Sequence, residues 1–280
     1  MQSLFGQQMI DFIKRSDIEI CYPEVISVEP HSDGTYTITN SLSQVYISTA
    51  AIKDNFSIKT FILFSIIDTY VERIYPELEG KSYLRKLLKL EENRSLDGQV
   101  LHDSFRLYKL LRNATIHNTS SINLNDAGDL KIRYTFNGTE YEMEITSVGL
   151  GYQNTLIYDL IDPFERRSST YSNAFRLSLL TMVRIGIHKF NDEKGNLEDM
   201  ATRDTLPLAT GRRYRLDQTH IERRGNLVVV KNPYSPNPSI ASFSGVDYTF
   251  TLDGHAYFVP SEALDKHTIS LEKLKDWQMN

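Results

Sequence analysis

Arg112, Asn113 and His117 are the residues of this sequence whose types and spacing most directly indicate chemistry. They lie in the segment RLYKLLRNATIHNTS, which covers residues 106–120. A histidine has a pKa of about 6.5, so it can accept or donate a proton at neutral pH. An arginine guanidinium donates several hydrogen bonds to phosphate oxygens and stabilises the charge that develops there. Together these groups suit proton transfer next to a phosphate.

The three side chains do not all share one face of the helix that is predicted around them. Asn113 precedes His117 by four residues, so both lie on one face, where Asn113 can orient the imidazole or contact a phosphate oxygen. Arg112 precedes His117 by five residues, which separates the two by about 140° around the helix axis. One chain alone therefore presents a splayed Arg–His pair.

The pattern Arg-Asn-x3-His within a helical segment resembles the signature of the HEPN superfamily. That signature is an arginine, four to six residues and a histidine, often with Asn, Asp or His directly after the arginine. Arg112, Asn113 and His117 match its four-residue form. The resemblance covers residues 51–190, about half of the chain, and implies a bundle of amphipathic helices that carries the motif.

The resemblance also implies a way to complete the site. HEPN proteins generally dimerise with their motif helices facing one another, and a two-fold axis would bring two arginines and two histidines into one cleft. The implied activity is metal-independent endoribonuclease cleavage that leaves 2′,3′-cyclic phosphate ends, in a toxin or a component of defence against phage. The implied partners are RNA, a second copy of the chain or a related chain, and an antitoxin or another protein of a defence system.

Two other interpretations of the motif stay open. In the first, the helical region is a catalytically inactive HEPN-type dimerising module that binds nucleotide, RNA or a partner protein. In the second, the motif only stabilises the fold. His117 would favour the dipole at its helix end when protonated, and Arg112 would pair with a carboxylate such as Asp103 or Glu79.

A second group of basic residues lies towards the C-terminal end of the chain. The segment 211–225 contains five arginines: Arg212, Arg213, Arg215, Arg223 and Arg224. One interpretation is that they bind nucleic acid and guide it to the cleft through phosphate contacts. The other is a solvated strand surface whose charge is balanced by Asp217 and Glu222.

The composition excludes several other classes of protein. A single cysteine, Cys21, can form neither an internal disulfide nor a multi-cysteine metal site, and it fits a reducing cytoplasm. The sequence has no recognisable metal or cofactor motif, so we expect neither. The formal net charge of −5 argues against binding of nucleic acid through bulk charge alone. The N-terminus does not resemble a signal peptide, and the most apolar stretch, FILFSII, is too short to span a membrane. We therefore expect a cytoplasmic protein without a membrane partner.

Hydrophobic periodicity predicts the elements that position the motif. Residues 57–75, 82–92 and 99–118 repeat apolar side chains every three or four positions, which predicts three helices with the motif at the end of the third. Asn137-Gly138 separates two alternating segments and predicts a hairpin at 130–146. Further helices are predicted at 148–162 and 163–190, and the polar stretch 191–199 indicates a boundary.

The two ends of the chain are predicted to be rich in β-strands. The N-terminal segments are a helix at 4–14 and strands at 19–28, 35–39 and 44–48. The C-terminal segments are strands at 213–217, 226–231, 247–252 and 255–259 and a helix at 270–279. The predicted class is α+β, with an N-terminal β-rich segment at 1–50, a HEPN-like helical domain at 51–190 that contains the hairpin, and a β-rich domain at 200–280.

Overall fold

The motif-bearing chain has a mixed α+β fold in a computed structural model, which confirms the predicted class. The structure describes residues 24–31, 34–40, 56–117, 121–161, 168–197, 206–236 and 244–279. The predicted helix at 4–14 and the predicted strand at 44–48 lie outside these residues. Contacts divide the chain into two units, one of residues 1–21, 46–163 and 179–202, the other of residues 22–45, 164–178 and 203–280.

Amphipathic helices form most of the first unit. They are α1 (Phe56–Ile74), α2 (Tyr83–Glu91), α3 (Leu96–His117), α4 (Ser147–Ile161) and the second half of α5 (Ser169–Gly186). Pro76 begins a short 3₁₀ turn directly after α1, as expected for a residue that lacks a backbone N–H. The periodic apolar side chains of α3 are buried, with Leu107, Leu110 and Leu111 at most 1% exposed. The helices predicted before and after the hairpin, as far as α4, are thus confirmed to within a few residues.

A four-stranded antiparallel sheet completes the first unit. Its order is β3 (Ile122–Leu124), β4 (Leu130–Phe136), β5 (Thr139–Ile145) and β6 (Ile187–Asn191). The turn between β4 and β5 has positive φ at Asn137 (48°) and Gly138 (78°), the conformation that a two-residue hairpin turn requires. The predicted hairpin is therefore confirmed.

The helix predicted at 163–190 is wrong at its end. Helix α5 stops at Gly186, and the chain continues as strand β6, which pairs with β5. Gly186 approaches Gly149 so closely that a Cβ on Gly186 would lie 2.6 Å from the Gly149 Cα. Thr146 N–H donates to the Gly186 carbonyl and turns the chain into the sheet. The helical pattern missed this change because Ile187 and Phe190 fit an apolar face in either structure.

The second unit is built on a five-stranded mixed sheet. Its order is β11 (His255–Pro260), β10 (Ser244–Leu252), β7 (Arg212–Leu216), β1 (Glu24–Pro30) and β2 (Tyr36–Asn40). The strands β1, β7 and β10 are parallel to one another, and the two outer strands are antiparallel to their neighbours. Strands from both β-rich ends of the sequence, which the sequence analysis placed in separate segments, therefore share one sheet.

A three-stranded sheet and the C-terminal residues complete the second unit. The sheet has the order β12 (Thr268–Ser270), β9 (Leu227–Val230) and β8 (Ile221–Arg224). The helix predicted at 270–279 is much shorter, because α6 (Leu271–Leu274) gives way to a 3₁₀ turn at Lys275–Trp277. Met279 N–H then donates to the Ala256 carbonyl, which holds the last residues extended along β11.

No helix in the described ranges combines the length and the apolar character that crossing a membrane requires.

Candidate active site

The last two turns of α3 bring Arg112 and Asn113 into direct contact. Arg112 Nη1 donates a hydrogen bond to Asn113 Oδ1 across 3.0 Å, and both side chains are half-buried. His117 is the last residue of α3 and is exposed to solvent. The structure thus places the Arg112 guanidinium and the His117 imidazole at the same helix end. Asn113 is hydrogen-bonded to the guanidinium and shares a helical face with His117.

Tyr83 of α2 supports the guanidinium from a second side. The Arg112 Cζ atom lies 5.5 Å from the centre of the Tyr83 ring, within the range of a cation–π contact. The ring is itself held edge-on against Phe64 of α1, 5.1 Å away, and near Phe105 of α3. Three helices therefore fix the position of one arginine. The sequence analysis missed Tyr83, because nothing in its local pattern separates it from other core aromatics.

Asp103 of α3 and the carboxylates of Asp68 and Glu72 of α1 bind groups other than Arg112. Asp103, one of the predicted ion-pair partners, binds Arg184 Nη2 at 2.5 Å, and its side chain is only 4% exposed. Lys86 Nζ lies 2.6 Å from carboxylate oxygens of both Asp68 and Glu72. Burial raises the pKa of Asp68, and the bond and charge of Lys86, with a smaller contribution from Arg112, oppose that rise. Among the described residues, no carboxylate forms an ion pair with Arg112.

This arrangement leaves a positive group available for an anion. An arginine held by an amide and an aromatic ring keeps its full charge, whereas a carboxylate partner would offset it. The adjacent exposed imidazole can exchange a proton with a bound ligand. The structure thus places all three predicted residues at this helix end, with Arg112 and His117 about 140° apart around the axis, and their roles in phosphate binding and proton transfer stay a prediction.

The five arginines of the predicted nucleic-acid-binding group have different environments. Arg213 is 2% exposed, and it bonds to both carboxylate oxygens of Asp247, at 2.8 and 2.7 Å, and to Glu262 at 2.8 Å. Carboxylates therefore already occupy its donors, which argues against the predicted role of Arg213 in binding nucleic acid. The sequence could not indicate this, since both partners are distant along the chain.

The other four arginines keep part of their surface. Arg223 and Arg224 of β8 have side chains that are 51% and 60% exposed, and they pair with Asp253 and Glu222. Arg215 is 29% exposed and pairs with Asp217, and Arg212 is half-buried. Exposed ion pairs of this kind add little to stability, and their partners exchange readily. Arg223 and Arg224 are therefore the two of the five arginines best placed to contact a phosphate.

The described residues contain no group of three or more His, Cys, Asp or Glu side chains arranged to hold a metal ion. Cys21 lies outside the described ranges.

The fold and the site define an α+β chain with an arginine, an asparagine and an exposed histidine at one helix end. No family model, no curated protein and no solved structure matches this chain.

Proposed function

We propose that the chain is a metal-independent endoribonuclease of the HEPN type, active in the cytoplasm as a toxin or an anti-phage defence component. The observation that carries this proposal is the Arg112 guanidinium. It is held by Asn113 and Tyr83, lacks an ion-pair partner among the described residues, and lies at the same helix end as the exposed His117.

The reaction follows from the groups at this helix end. His117 accepts the proton of the RNA 2′-hydroxyl, and the 2′-oxygen forms a bond to the adjacent phosphorus. Arg112 stabilises the additional charge on the non-bridging oxygens. The bond between phosphorus and the 5′-oxygen then breaks, and the leaving oxygen takes a proton from water. The products are a 2′,3′-cyclic phosphate and a 5′-hydroxyl.

Exposed apolar side chains at the end of α3 and on α2 support a dimer. Ile116 precedes His117 and is 38% exposed, and Leu84, which follows Tyr83, is 55% exposed. Leu88 lies one turn further along α2 and is 48% exposed. Exposed apolar side chains around a polar site are typical of surfaces that bind another chain. We propose a second copy, with RNA bound where the two motifs meet.

The test is cleavage of single-stranded RNA by the purified chain, with analysis of the product ends. We expect 2′,3′-cyclic phosphate ends, unchanged cleavage in the presence of a chelator, and at least about 100-fold slower cleavage by His117→Ala, since general acid–base catalysis contributes that much or more. His188→Ala is the matched control, because His188 is an exposed histidine of the same unit outside the motif.

Cleavage by His117→Ala at the wild-type rate would show that the assignment is wrong. The alternative function, an inactive dimerising module, predicts that the wild type binds RNA or nucleotide without cutting it. Expression separates the two functions early, because an active ribonuclease slows the growth of its host and a binding module does not.

A further inference from the structure

One turn before Asn113, α3 carries a lysine on the same helical face. Lys109, Asn113 and His117 follow one another at intervals of four residues, so their side chains form a single stripe along α3. The sequence analysis gave Lys109 no role. Because Lys109 lies one turn from the proposed phosphate-binding group, the partner that now compensates its positive charge matters.

The segment of residues 192–196, here called the clasp, covers this part of α3. Asp192 is buried and accepts two hydrogen bonds from Arg106, at 2.9 Å from Nε and 2.5 Å from Nη2. Arg106 Nη2 also donates to the Gly195 carbonyl at 2.7 Å. On the other side, Lys194 Nζ lies 2.8 Å from Glu91 of α2. The clasp is therefore attached to α2 and α3 by bonds that do not involve Lys109.

The clasp places Glu193 directly on the ammonium group of Lys109. The Lys109 side chain is 5% exposed, and that of Glu193 is 24% exposed. The pKa of Lys109 is lowered to about 8, chiefly by burial; the charge of Asp192 opposes this shift, and the charges of Arg106 and Lys194 add to it. A poorly hydrated ammonium depends on a nearby anion, and a phosphate satisfies that need as well as a carboxylate does.

Arg106 lies one turn before Lys109 on α3, but it cannot bind a phosphate in the same way. The Arg106 side chain is 2% exposed, and its guanidinium is bonded to Asp192 and to backbone carbonyls of the clasp. Glu193 differs from the buried Asp192 because its side chain is partly exposed. Its carboxylate can therefore turn to water while the bonds between Arg106 and Asp192 remain.

We propose that the Lys109 ammonium binds an RNA phosphate in the proposed active site. Without RNA, the Glu193 carboxylate pairs with this ammonium, and the RNA phosphate displaces the carboxylate when RNA binds. This inference rests on the proposed function. It adds a substrate-binding residue to the Arg112, Asn113 and His117 group, and it explains why an acidic segment lies against a basic stretch of α3.

The test is binding of one single-stranded RNA at several salt concentrations, with His117→Ala in every variant so that the RNA is not consumed. We expect Glu193→Gln to bind about five-fold more tightly, because RNA no longer displaces a carboxylate from a partly exposed pair. We expect Lys109→Gln to bind more weakly and to lose about 0.7 from the salt-dependence slope, the value of one phosphate contact on a single strand. The double variant should not keep the gain of Glu193→Gln.

Glu142→Gln is the matched control. It makes the same change of charge in the same unit, and Lys189, its partner, keeps an ion pair with Glu144. The inference is overturned if RNA binds but Lys109→Gln keeps the wild-type slope, or if Glu193→Gln and Glu142→Gln bind equally well. Unchanged cleavage by His117→Ala would instead overturn the proposed function, and a chain that binds no RNA would overturn both.

Discussion

The position of Arg112 depends on an aromatic ring that the motif does not contain. The guanidinium lies over Tyr83, and the Tyr83 ring packs against both Phe64 and Phe105. A cation–π contact of this kind is worth about 0.5–2 kcal/mol, and here it also orients the group that would stabilise charge on the phosphate. In the proposed function, Tyr83 would therefore be a positioning residue that acts through Arg112.

This role makes a prediction at the residue scale. We expect Tyr83→Leu to cleave RNA about ten-fold more slowly, mainly through kcat, because a misplaced guanidinium stabilises the transition state less well. Tyr83→Phe keeps the ring and should restore most of the rate. The measurement is kcat and KM for each variant, beside the free energy of unfolding. An equal loss in both variants would implicate the hydroxyl, and a loss matched by unfolding would indicate a purely structural role.

Residues differ in how far the sequence could assign them. Arg112, Asn113 and His117 were predicted as a candidate site from their residue types and their spacing within one helix, where neighbours along the chain are neighbours in space. Tyr83, Asp247 and Glu262 could not be found in that way, because their contacts with Arg112 or Arg213 join separate elements. For the same reason, the sequence could not show that Arg213 points into the protein while Arg223 and Arg224 remain exposed.

At the scale of elements, parallel pairing of β7 with β10 creates the charged cluster around Arg213. The register places Gly245 opposite Arg213, and a Cβ on Gly245 would lie 2.4 Å from Arg213 Nη1. The missing side chain leaves room for the guanidinium to reach Asp247 and Glu262. Tyr171 of α5 donates to the Asp247 carboxylate at 3.1 Å, so the cluster also joins this helix to the sheet.

The cluster makes the second unit sensitive to acid. Burial raises the pKa of Glu262, but the bonds and charge of Arg213 and the Ala209 N–H outweigh it, and the net pKa is lowered. A lowered pKa in the folded state means that this carboxylate contributes its full stability above its usual pKa of about 4.5 and loses it as the pH falls through the folded-state pKa.

We therefore expect Glu262→Gln to lower the free energy of unfolding by about 2 kcal/mol at pH 7, the worth of hydrogen bonds to a charged group. The gap between wild type and variant should narrow between pH 4.5 and 3, because only the wild type can lose this charge. Urea unfolding at several pH values measures the gap. A gap that stays constant or widens down to pH 3 would contradict the role assigned to Arg213.

Sequence patterns predicted some secondary-structure elements and missed others. The helices α1 to α4 and the hairpin follow from periods of three to four and of two residues, which are local properties. Strand β6 was missed because it follows α5 with an apolar pattern that either structure satisfies. Strand β8 was missed because IERR is highly charged, and it forms only through its pairing with β9. The pairing of β1 with β7 joins residues nearly 190 positions apart, and no local pattern encodes it.

At the scale of the whole molecule, the splayed motif argues for a site shared between two copies. Arg112 and His117 lie about 140° apart around α3, so one chain does not direct both at the same phosphate. A two-fold axis beside the end of α3 would pair the arginine of one chain with the histidine of the other. Activity would then depend on which chain carries each residue, as well as on the presence of both.

Mixed dimers test this dependence. We expect a dimer of Arg112→Ala with His117→Ala to cleave RNA far faster than either parent, because it keeps one arginine and one histidine on different chains. A dimer of wild type with the double variant keeps both residues on one chain and should be much slower. Each mixed dimer is purified through two different tags, and its RNA cleavage is compared at equal dimer concentration. The reverse order of rates would assign the site to a single chain, and a monomeric wild type in light scattering would exclude the shared site.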